Sequence, residues 1–243
     1  MFATRDHRQR ADTRVDVAFT DRWRGVSVGS GAPLDLSRNR AGAEIGKSWA
    51  VLADAFGVEG FTTMRQVHGA DVVTVTGRLT SEPTCDALVT DTPEIALCVR
   101  VGDCVPVVLA DVTGGVVGVA HVGRVGVVAG VVASTVQAMR SLGAAGPEAW
   151  VGPHVCGGCY EVPAAMRDDV SDVEPVAFCC TTWGTPSLDI GAAVVAQLRR
   201  AGCTPVNDVA SCTRESSDLF SYRRQGSASG RQGGLVVLRR DAR

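Results

Sequence analysis

Residues 105–121 read Val-Pro-Val-Val-Leu-Ala-Asp-Val-Thr-Gly-Gly-Val-Val-Gly-Val-Ala-His and carry the clearest structural signal in the chain. Two apolar, largely β-branched runs, 105–111 and 115–121, are joined by Val112-Thr113-Gly114-Gly115. β-branched residues favour strands, and a short Gly-containing connection between two such runs is typical of a β-hairpin. The stretch therefore predicts a central hairpin, with Cys104 just before its first strand and His121 at the end of its second.

Apolar runs separated by Gly, Pro or Asp turns predict further strands on both sides of the hairpin. These strands cover 15–20, 71–75, 86–90, 95–101, a segment beginning at Trp150, and 234–238. Helical spacing of apolar residues predicts helices over 43–56, 125–142, 161–172 and 189–201. Strands clustered between helices are typical of α+β proteins. We therefore predict one α+β domain over 1–243, with a mixed β-sheet core and flanking helices.

Three segments are predicted to lack regular structure. Residues 1–14 are polar and rich in Arg and Asp, which predicts a flexible N-terminal tail. A Gly/Ser/Pro loop is expected to follow the first strand through Pro33. The Ser/Gly stretch at 226–234 is predicted to be a surface or active-site loop.

The composition argues against several classes of function. A net charge of −2 disfavours broad electrostatic binding of nucleic acid or of an anionic membrane. No apolar run reaches the roughly 20 residues of a membrane span, and the N-terminus lacks the apolar core of a secretory signal. We therefore expect a cytoplasmic protein that neither binds nucleic acid nor inserts into a membrane.

His68, Cys104 and His121 are the strongest candidates for chemistry, because each lies where a β-branched stretch meets a Gly turn. Two imidazoles and a thiolate are a ligand set of catalytic zinc, with the fourth position left for water or substrate. A nucleophilic Cys104 activated by His121 is an alternative, and simple packing of isolated side chains is another. Two histidines near one cysteine favour the metal, because a nucleophilic pair needs only one.

Charged residues extend this candidate site. Asp103 and Asp86 could each orient a metal-binding imidazole or handle protons, with turn capping as the alternative. A guanidinium suits phosphate or carboxylate, but neighbouring side chains of an extended segment point in opposite directions, so at most one of Arg223 and Arg224 faces a given site. Asp103 is the further catalytic candidate. The substrate-binding candidates are Arg65, Asp86, Arg223 and Arg224.

Cys156-Gly157-Gly158-Cys159 has the Cys-x-x-Cys spacing of redox dithiols and structural zinc sites. The sequence contains nine cysteines but no second Cys-x-x-Cys that would complete a four-thiolate zinc site. Tyr160-Glu161-Val162-Pro163 follows where a redox motif normally opens a helix. We therefore predict a Gly-rich loop whose thiols are incidental.

An ordered set of motifs extends over most of the chain and resembles the YfiH family, also called the laccase-domain or polyphenol-oxidase-like family. The motifs are Arg65-Gln66-Val67-His68-Gly69, Cys85-Asp86-Ala87-Leu88-Val89-Thr90, Asp103-Cys104-Val105-Pro106-Val107, Gly118-Val119-Ala120-His121, Gly152-Pro153, Cys159-Tyr160-Glu161-Val162 and Phe220-Ser221-Tyr222-Arg223-Arg224. An ordered set of this length is far more specific than any single motif.

This resemblance implies a domain like the catalytic domain of cysteine-hydrolase toxins, with zinc bound by residues matching His68, Cys104 and His121. It implies phosphorolysis of adenosine, inosine and methylthioadenosine, together with adenosine deamination, so purine nucleoside and phosphate are the implied partners. The family's older oxidase label implies copper, which one Cys and two His could coordinate, but the chain has no array of ligands for several coppers.

Two alternatives to the phosphorylase remain. Some members are described as peptidoglycan editing factors, which hydrolyse a wrongly incorporated amino acid from a muropeptide, a small cell-wall precursor. A catalytically quiet, division-associated binding protein is the third hypothesis.

One departure from the family bears on phosphate use. Members usually read His-Ala-Gly-Trp-Arg-Gly after the zinc histidine, whereas this chain reads His121-Val122-Gly123-Arg124-Val125-Gly126. Successive residues of a helix differ by about 100° in direction, so an Arg at 124 is expected to face differently from one at 125. The departure therefore predicts weak phosphorolysis relative to deamination or amide hydrolysis.

Overall fold

The computed structural model describes residues 1–23, 34–37 and 43–240. The described strands are β1 Phe2–Arg10, β2 Thr13–Thr20, β3 Val72–Thr74, β4 Ala87–Thr90, β5 Ala96–Val101, β6 Val105–Asp111, β7 Val116–Val122, β8 Glu148–Val151, β9 Phe178–Cys180, β10 Pro186–Leu188, β11 Val206–Asp208 and β12 Gln232–Arg240. The described helices are α1 Ala43–Phe56, α2 Arg124–Ala129, α3 Val131–Ser141, α4 Ala164–Val173, α5 Ile190–Arg200 and α6 Tyr222–Gln225. The loop expected before Pro33 lies largely outside the described residues.

Two main sheets form the centre of this α+β domain. The larger is mixed and has the strand order β11-β8-β6-β7-β4-β3, in which β11 pairs parallel to β8 and β3 parallel to β4. The smaller is antiparallel, with the order β1-β2-β12-β5. Strands β9 and β10 form a separate pair. The predicted mixed β core with flanking helices is confirmed.

The predicted central hairpin is confirmed, and a buried carboxylate holds its turn. β6 pairs antiparallel with β7 from Val105↔Val122 to Asp111↔Val116. One oxygen of Asp111 accepts the backbone N–H groups of Thr113 and Gly114, and the other accepts those of Ala145 and Gly146. The hairpin therefore places the start of β6 and the end of β7 at one edge of the sheet.

The described residues form three apolar cores around the two sheets. One apolar core lies between the sheets and includes Phe19, Val108 and Trp150. A second core packs the opposite face of the larger sheet against α3 and α5, and a third packs the smaller sheet against α1. Because both faces of β6 and β7 are covered, these strands read as nearly continuous apolar runs.

The predicted N-terminal tail is wrong for residues 2–10, which form β1 against β2. Alternate residues of β1 are half-buried, and long polar side chains find partners on the larger sheet. The guanidinium of Arg8 lies 5.0 Å from the ring centre of Trp150 and bonds to Glu148 at 2.8 Å. The prediction was based on the many charged residues of this segment. An arginine in a strand can nevertheless pack its aliphatic side-chain carbons against the protein while its guanidinium stays paired.

The single helix predicted over 125–142 is two helices, α2 and α3. Gly130 between them has φ = +82°, a left-handed conformation that glycine adopts at little steric cost. The loop predicted over 226–234 is also shorter than expected, because β12 begins at Gln232.

No helix in the described part of the chain is both long and apolar enough to cross a bilayer.

Candidate functional site

The structure brings His68, Cys104 and His121 together at one edge of the larger sheet. Cys104 directly precedes β6, His121 is the second-to-last residue of β7, and His68 lies in the loop before β3. One potential ligand atom from each lies within 4.8 Å of the others. The Sγ of Cys104 is 3.8 Å from Nε2 of His68, and the two imidazole ring centres are 4.7 Å apart.

A fully buried carboxylate, Asp86, holds both histidines in place. Its Oδ1 lies 2.8 Å from Nδ1 of His121, and its oxygens accept the backbone N–H groups of Val67, His68 and Gly69. These bonds support a left-handed backbone at His68, where φ = +63°. Although burial acts to raise the pKa of Asp86, its bonds to His121 and to the backbone lower it overall. Asp86 therefore lies behind the imidazoles rather than in the open site.

The electrostatics of the site favour a thiolate at Cys104. Burial acts to raise the pKa of this thiol, but the adjacent His121 and His68 outweigh it and lower the pKa. Burial acts to lower the pKa of His121, but Cys104 and Asp86 raise it. The thiolate is the form of cysteine that binds metals and acts as a nucleophile.

The donor set fits a single metal ion with an open coordination position. Because Nδ1 of His121 is engaged by Asp86, Nε2 is left as its ligand atom, the arrangement in which an outer carboxylate orients a metal-binding histidine. Two imidazole nitrogens and one thiolate leave the fourth position of a tetrahedral ion free. Among the described residues, this cluster could therefore hold a metal ion of the catalytic type.

A cleft of about 770 Å³ opens above these three residues. Tyr160, Tyr222 and Ile190 give it apolar surface, while Arg124 and Arg223 contribute positive charge. Sequence reasoning did not propose Tyr160, Tyr222 or Ile190. Tyr160 and Tyr222 stand inside family motifs, but neither has a chemical signature of its own.

Asp103 lines the cleft, but its carboxylate is engaged by the protein. Oδ1 accepts the hydroxyl of Thr213 at 2.6 Å, and Oδ2 accepts the backbone N–H of Arg223 at 2.6 Å. Its carbonyl accepts the backbone N–H of Val155 at 3.0 Å. Asp103 thus fastens two distant loops beside Cys104, and the proton-transfer role expected for it stays a prediction.

The arginines predicted to bind substrate are placed differently from one another. Arg223 lines the cleft, with its guanidinium 4.6 Å from the ring centre of Tyr160 and bonded to the carbonyl of Glu161. Arg224 is directed into its own loop, where it donates to the backbone carbonyls of Thr213, Arg214, Ser216 and Leu219. Arg65 is exposed and is absent from the residues that line the described cleft. The structure therefore brings one of the three to the site.

The structure places Arg124, rather than position 125, beside the cleft, and the expected weak phosphorolysis stays a prediction. Arg124 is the first residue of α2 and lines the cleft, whereas Val125 is 43% exposed and faces solvent. The argument for weak phosphorolysis assumed that position 125 faces the site. Because the helix begins at Arg124, position 124 is the one directed into the cleft.

Comparison with known proteins shows relatives that match nearly the whole chain. Residues 16–239 match the family described as multi-copper polyphenol oxidoreductase laccase. A relative from Streptomyces coelicolor, named purine nucleoside phosphorylase SCO2081, is 47% identical over 229 residues, covering 90% of this chain and 94% of the relative.

Two solved structures share the fold. Neisseria meningitidis protein NMB0706 superposes with a TM-score of 0.81 at 28% identity, covering 95% of this chain and 96% of its own. The hypothetical protein YfiH of Bacillus licheniformis gives a TM-score of 0.80 at 24% identity, covering 92% of each chain. With the family match over nearly its whole length, this chain belongs to the YfiH, or laccase-like polyphenol oxidoreductase, family.

Proposed function

We propose that this protein is a zinc-dependent purine nucleoside phosphorylase that acts on adenosine, inosine and methylthioadenosine and also deaminates adenosine. The observation that carries this proposal is the His68–Cys104–His121 cluster at the floor of a cleft that also presents arginine side chains. The name of the Streptomyces coelicolor relative supports the same activity.

We assign zinc rather than copper to the cluster, because a thiolate with two imidazoles and one open position is a known catalytic zinc set. When bound, zinc supplies a Lewis acid and positive charge at the floor of the cleft. Asp86 keeps His121 in the orientation that this role requires, and the lowered pKa of Cys104 provides the thiolate.

The walls of the cleft suit the two halves of the substrate pair. A purine is flat and largely apolar on its faces, which complements the aromatic and aliphatic surface of Tyr160, Tyr222 and Ile190. Phosphate carries concentrated negative charge, which a guanidinium neutralises through charge-assisted hydrogen bonds. We assign this charge to Arg124 and Arg223. Arg100 and Arg231 also line the cleft, but Arg100 pairs with Glu82 and Arg231 donates to the backbone carbonyls of Ser229 and Gly230.

Phosphorolysis forms a bond from a phosphate oxygen to the ribose C1′ and breaks the C1′–N9 bond. The purine leaves with that electron pair and takes up a proton. In our proposal, Arg124 and Arg223 hold the anionic nucleophile beside the ribose, and the tyrosines hold the base. Deamination adds water at purine C6 and releases ammonia. It would depend on a metal held by His68, Cys104 and His121 and on the residues that hold the base, but not on Arg124 and Arg223.

The test is turnover by pure, metal-analysed protein. Each nucleoside is incubated with and without phosphate, and free base, ribose 1-phosphate and ammonia are measured. We expect free base and ribose 1-phosphate only when phosphate is present, and ammonia from adenosine in both conditions. Cys104→Ser should lose all of these products, whereas the matched control Cys180→Ser, at an exposed thiol outside the cleft, should retain them.

Nucleoside turnover that survives in Cys104→Ser would contradict the proposed mechanism. A serine-containing muropeptide precursor serves as the competing substrate. Hydrolysis of that precursor, without any turnover of nucleosides, would replace the phosphorylase with the editing hydrolase.

A further inference from the structure

We propose that Cys156, Cys159, Cys212 and Glu215 form a second metal site, of the closed structural type, which takes zinc. One potential ligand atom from each lies within 4.8 Å of the others. None of these four residues belongs to the His68–Cys104–His121 cluster. The sequence has no second Cys-x-x-Cys motif to complete the ligand set of Cys156 and Cys159. In the structure, Cys212 and Glu215 provide the two further ligand atoms.

The two halves have the same spacing and the same kind of turn. In the first half, the backbone N–H of Tyr160 donates to the carbonyl of Cys156 at 3.0 Å. In the second half, Cys212 and Glu215 are also separated by two residues, and Ser216 donates its N–H to the carbonyl of Cys212 at 2.9 Å. Two turns with two-residue spacing resemble the ligand pattern of structural zinc sites, with one Cys replaced by Glu.

Backbone contacts hold the two turns against each other. His154 forms a β-bridge with Cys212, and Thr213 donates its N–H to the carbonyl of His154 at 2.9 Å. The N–H of Cys156 lies 3.5 Å from Sγ of Cys212, and Sγ of Cys159 lies 3.3 Å from a carboxylate oxygen of Glu215. The four donor atoms therefore converge from both turns to within 4.8 Å of one another. The distance from Cys159 to Glu215 already falls in the range of roughly 3.3–3.8 Å between ligands of tetrahedral zinc.

The donor chemistry selects zinc among common metals. Thiolates are soft ligands that favour zinc over magnesium, calcium or manganese, and four protein donors complete a tetrahedral shell. Three thiolates and one carboxylate around a divalent ion carry a net negative charge. Burial raises the pKa of Cys159, and the nearby guanidinium of Arg214 acts to lower it, so Arg214 is placed to offset part of that charge.

The location suggests what the site stabilises. The first turn is flanked by Val155 and Tyr160, which both line the substrate cleft. The second turn contains Thr213, whose hydroxyl bonds to Asp103 beside Cys104. A metal shared by both turns would fix one wall of the cleft relative to its floor, without touching the open coordination position.

The competing chemistry for neighbouring thiols is a disulfide, and the experiment separates it from metal binding. The background is Cys104→Ser, which removes a ligand of the first site, so any bound metal reports on the second. The protein is produced in zinc-supplemented medium, purified under a phosphine reductant without chelator, and analysed for zinc by mass spectrometry. Non-reducing peptide mapping of wild-type protein purified without reductant then detects any Cys156, Cys159 or Cys212 disulfide.

We expect the Cys104→Ser protein to retain about one equivalent of zinc and to lose it when Cys212→Ser or Glu215→Gln is added, because structural sites need their full ligand set. Cobalt substituted into the Cys104→Ser protein should show intense thiolate-to-metal absorption, which does not depend on any second variant folding. Adding Cys180→Ser instead should change neither measurement.

Two results would overturn the proposal: no zinc and no cobalt absorption in Cys104→Ser, or a stoichiometric disulfide within the cluster of wild-type protein. Zinc that persists in Cys104→Ser and disappears with Cys212→Ser supports the second site even if nucleoside turnover is never observed. The fate of this inference is therefore independent of the proposed phosphorylase activity.

Discussion

Two clusters of side chains that could each hold a metal ion lie close to the same cleft, and they differ in how they are built. The floor cluster, which is His68, Cys104 and His121, offers two imidazoles and one thiol and opens into the cleft. Asp86 hydrogen-bonds to it from the side away from the cleft. The wall cluster is made of three cysteines and one glutamate from two turns, namely Cys156, Cys159, Cys212 and Glu215. Catalytic zinc sites keep a position open, whereas structural sites are closed by four protein ligands. On this basis we propose a catalytic role for the first cluster and a structural role for the second.

The largest expected effect is a loss of turnover when the floor cluster is changed, in contrast to a loss of thermal stability when the wall cluster is changed. Cys104→Ser should lower phosphorolysis by at least about 100-fold, because it removes a ligand of the floor site, while the melting temperature changes little. Cys212→Ser should do the opposite, lowering the melting temperature by about 5 °C or more while turnover falls by less than about 10-fold. Steady-state assays and thermal unfolding of both proteins make the test.

An equal loss of turnover in Cys104→Ser and Cys212→Ser would contradict the proposed difference, because it would mean that the wall cluster also takes part in catalysis. Cys203→Ser is a useful control for Cys212→Ser, because Cys203 is buried in the core beside α5 and belongs to neither cluster.

Asp86→Asn should lower the zinc affinity of the floor cluster and leave that of the wall cluster unchanged. The amide cannot match a carboxylate that accepts three backbone N–H groups and the Nδ1–H of His121. Loss of an outer-shell carboxylate typically costs about 10–100-fold in metal affinity or activity. We expect a drop of that size in zinc affinity, measured by chelator competition in a Cys212→Ser background.

Asp111→Asn is the matched control, because Asp111 also accepts backbone N–H groups but lies at the far end of the hairpin. Burial acts to raise the pKa of Asp111, but the backbone bonds lower it overall. The carboxylate therefore stabilises the fold above its unfolded-state pKa, and this contribution is lost as the pH falls through its lower folded-state pKa. The control should lose stability at neutral pH, lose less on acidification, and keep its zinc affinity.

The floor cluster was predictable because its ligands sit at the ends of strands with strong signals. The hairpin over 105–121 places Cys104 and His121 together by antiparallel pairing, in which Pro106 faces His121. His68 was singled out by the same signal, a β-branched stretch that meets a Gly turn, and the family motifs then agreed with it. Short, strongly apolar strands give such reliable information because both of their faces are buried.

The wall cluster was missed because nothing in the sequence joins its halves. Cys156 and Cys212 lie in irregular turns, and the contact between them depends on the His154–Cys212 bridge. Periodicity carries no information about irregular segments, and a ligand change from Cys to Glu hides the second half from a Cys-x-x-Cys search. The strand β1 was missed for a related reason, since its charged residues suggested a solvated tail rather than packing against Trp150 and Glu148.

Arg124 tests whether the floor site is built for an anion as well as for a metal. Arg124 lines the cleft, and its guanidinium takes part in none of the ion pairs found among the described residues. Arg124→Ala should raise the KM for phosphate about 10-fold, the loss of one charge-assisted hydrogen bond, with partial recovery in Arg124→Lys. Deamination of adenosine should be nearly unchanged. Val125→Ala, at the exposed neighbouring position, is the control.

The smallest expected effect comes from Gly123, where the open geometry of the floor cluster depends on the lack of a side chain. A Cβ at this position would lie 2.8 Å from Cδ2 of His68 and 3.1 Å from Sγ of Cys104. The first distance is shorter than carbon atoms tolerate, so His68, whose ring is exposed, has to move. We expect Gly123→Ala to lower zinc affinity at the floor site by several-fold, up to about 10-fold.

Gly146→Ala is the control for Gly123→Ala, because a Cβ there meets no described atom within 4 Å. Zinc titration in the Cys212→Ser background isolates the floor site for both variants. If Gly123→Ala binds zinc as tightly as the control does, the metal does not require His68 where the structure places it, and the floor cluster would be a two-ligand site. If affinity falls while the melting temperature stays constant, the glycine serves the site rather than the fold, as the contrast between an open and a closed cluster requires.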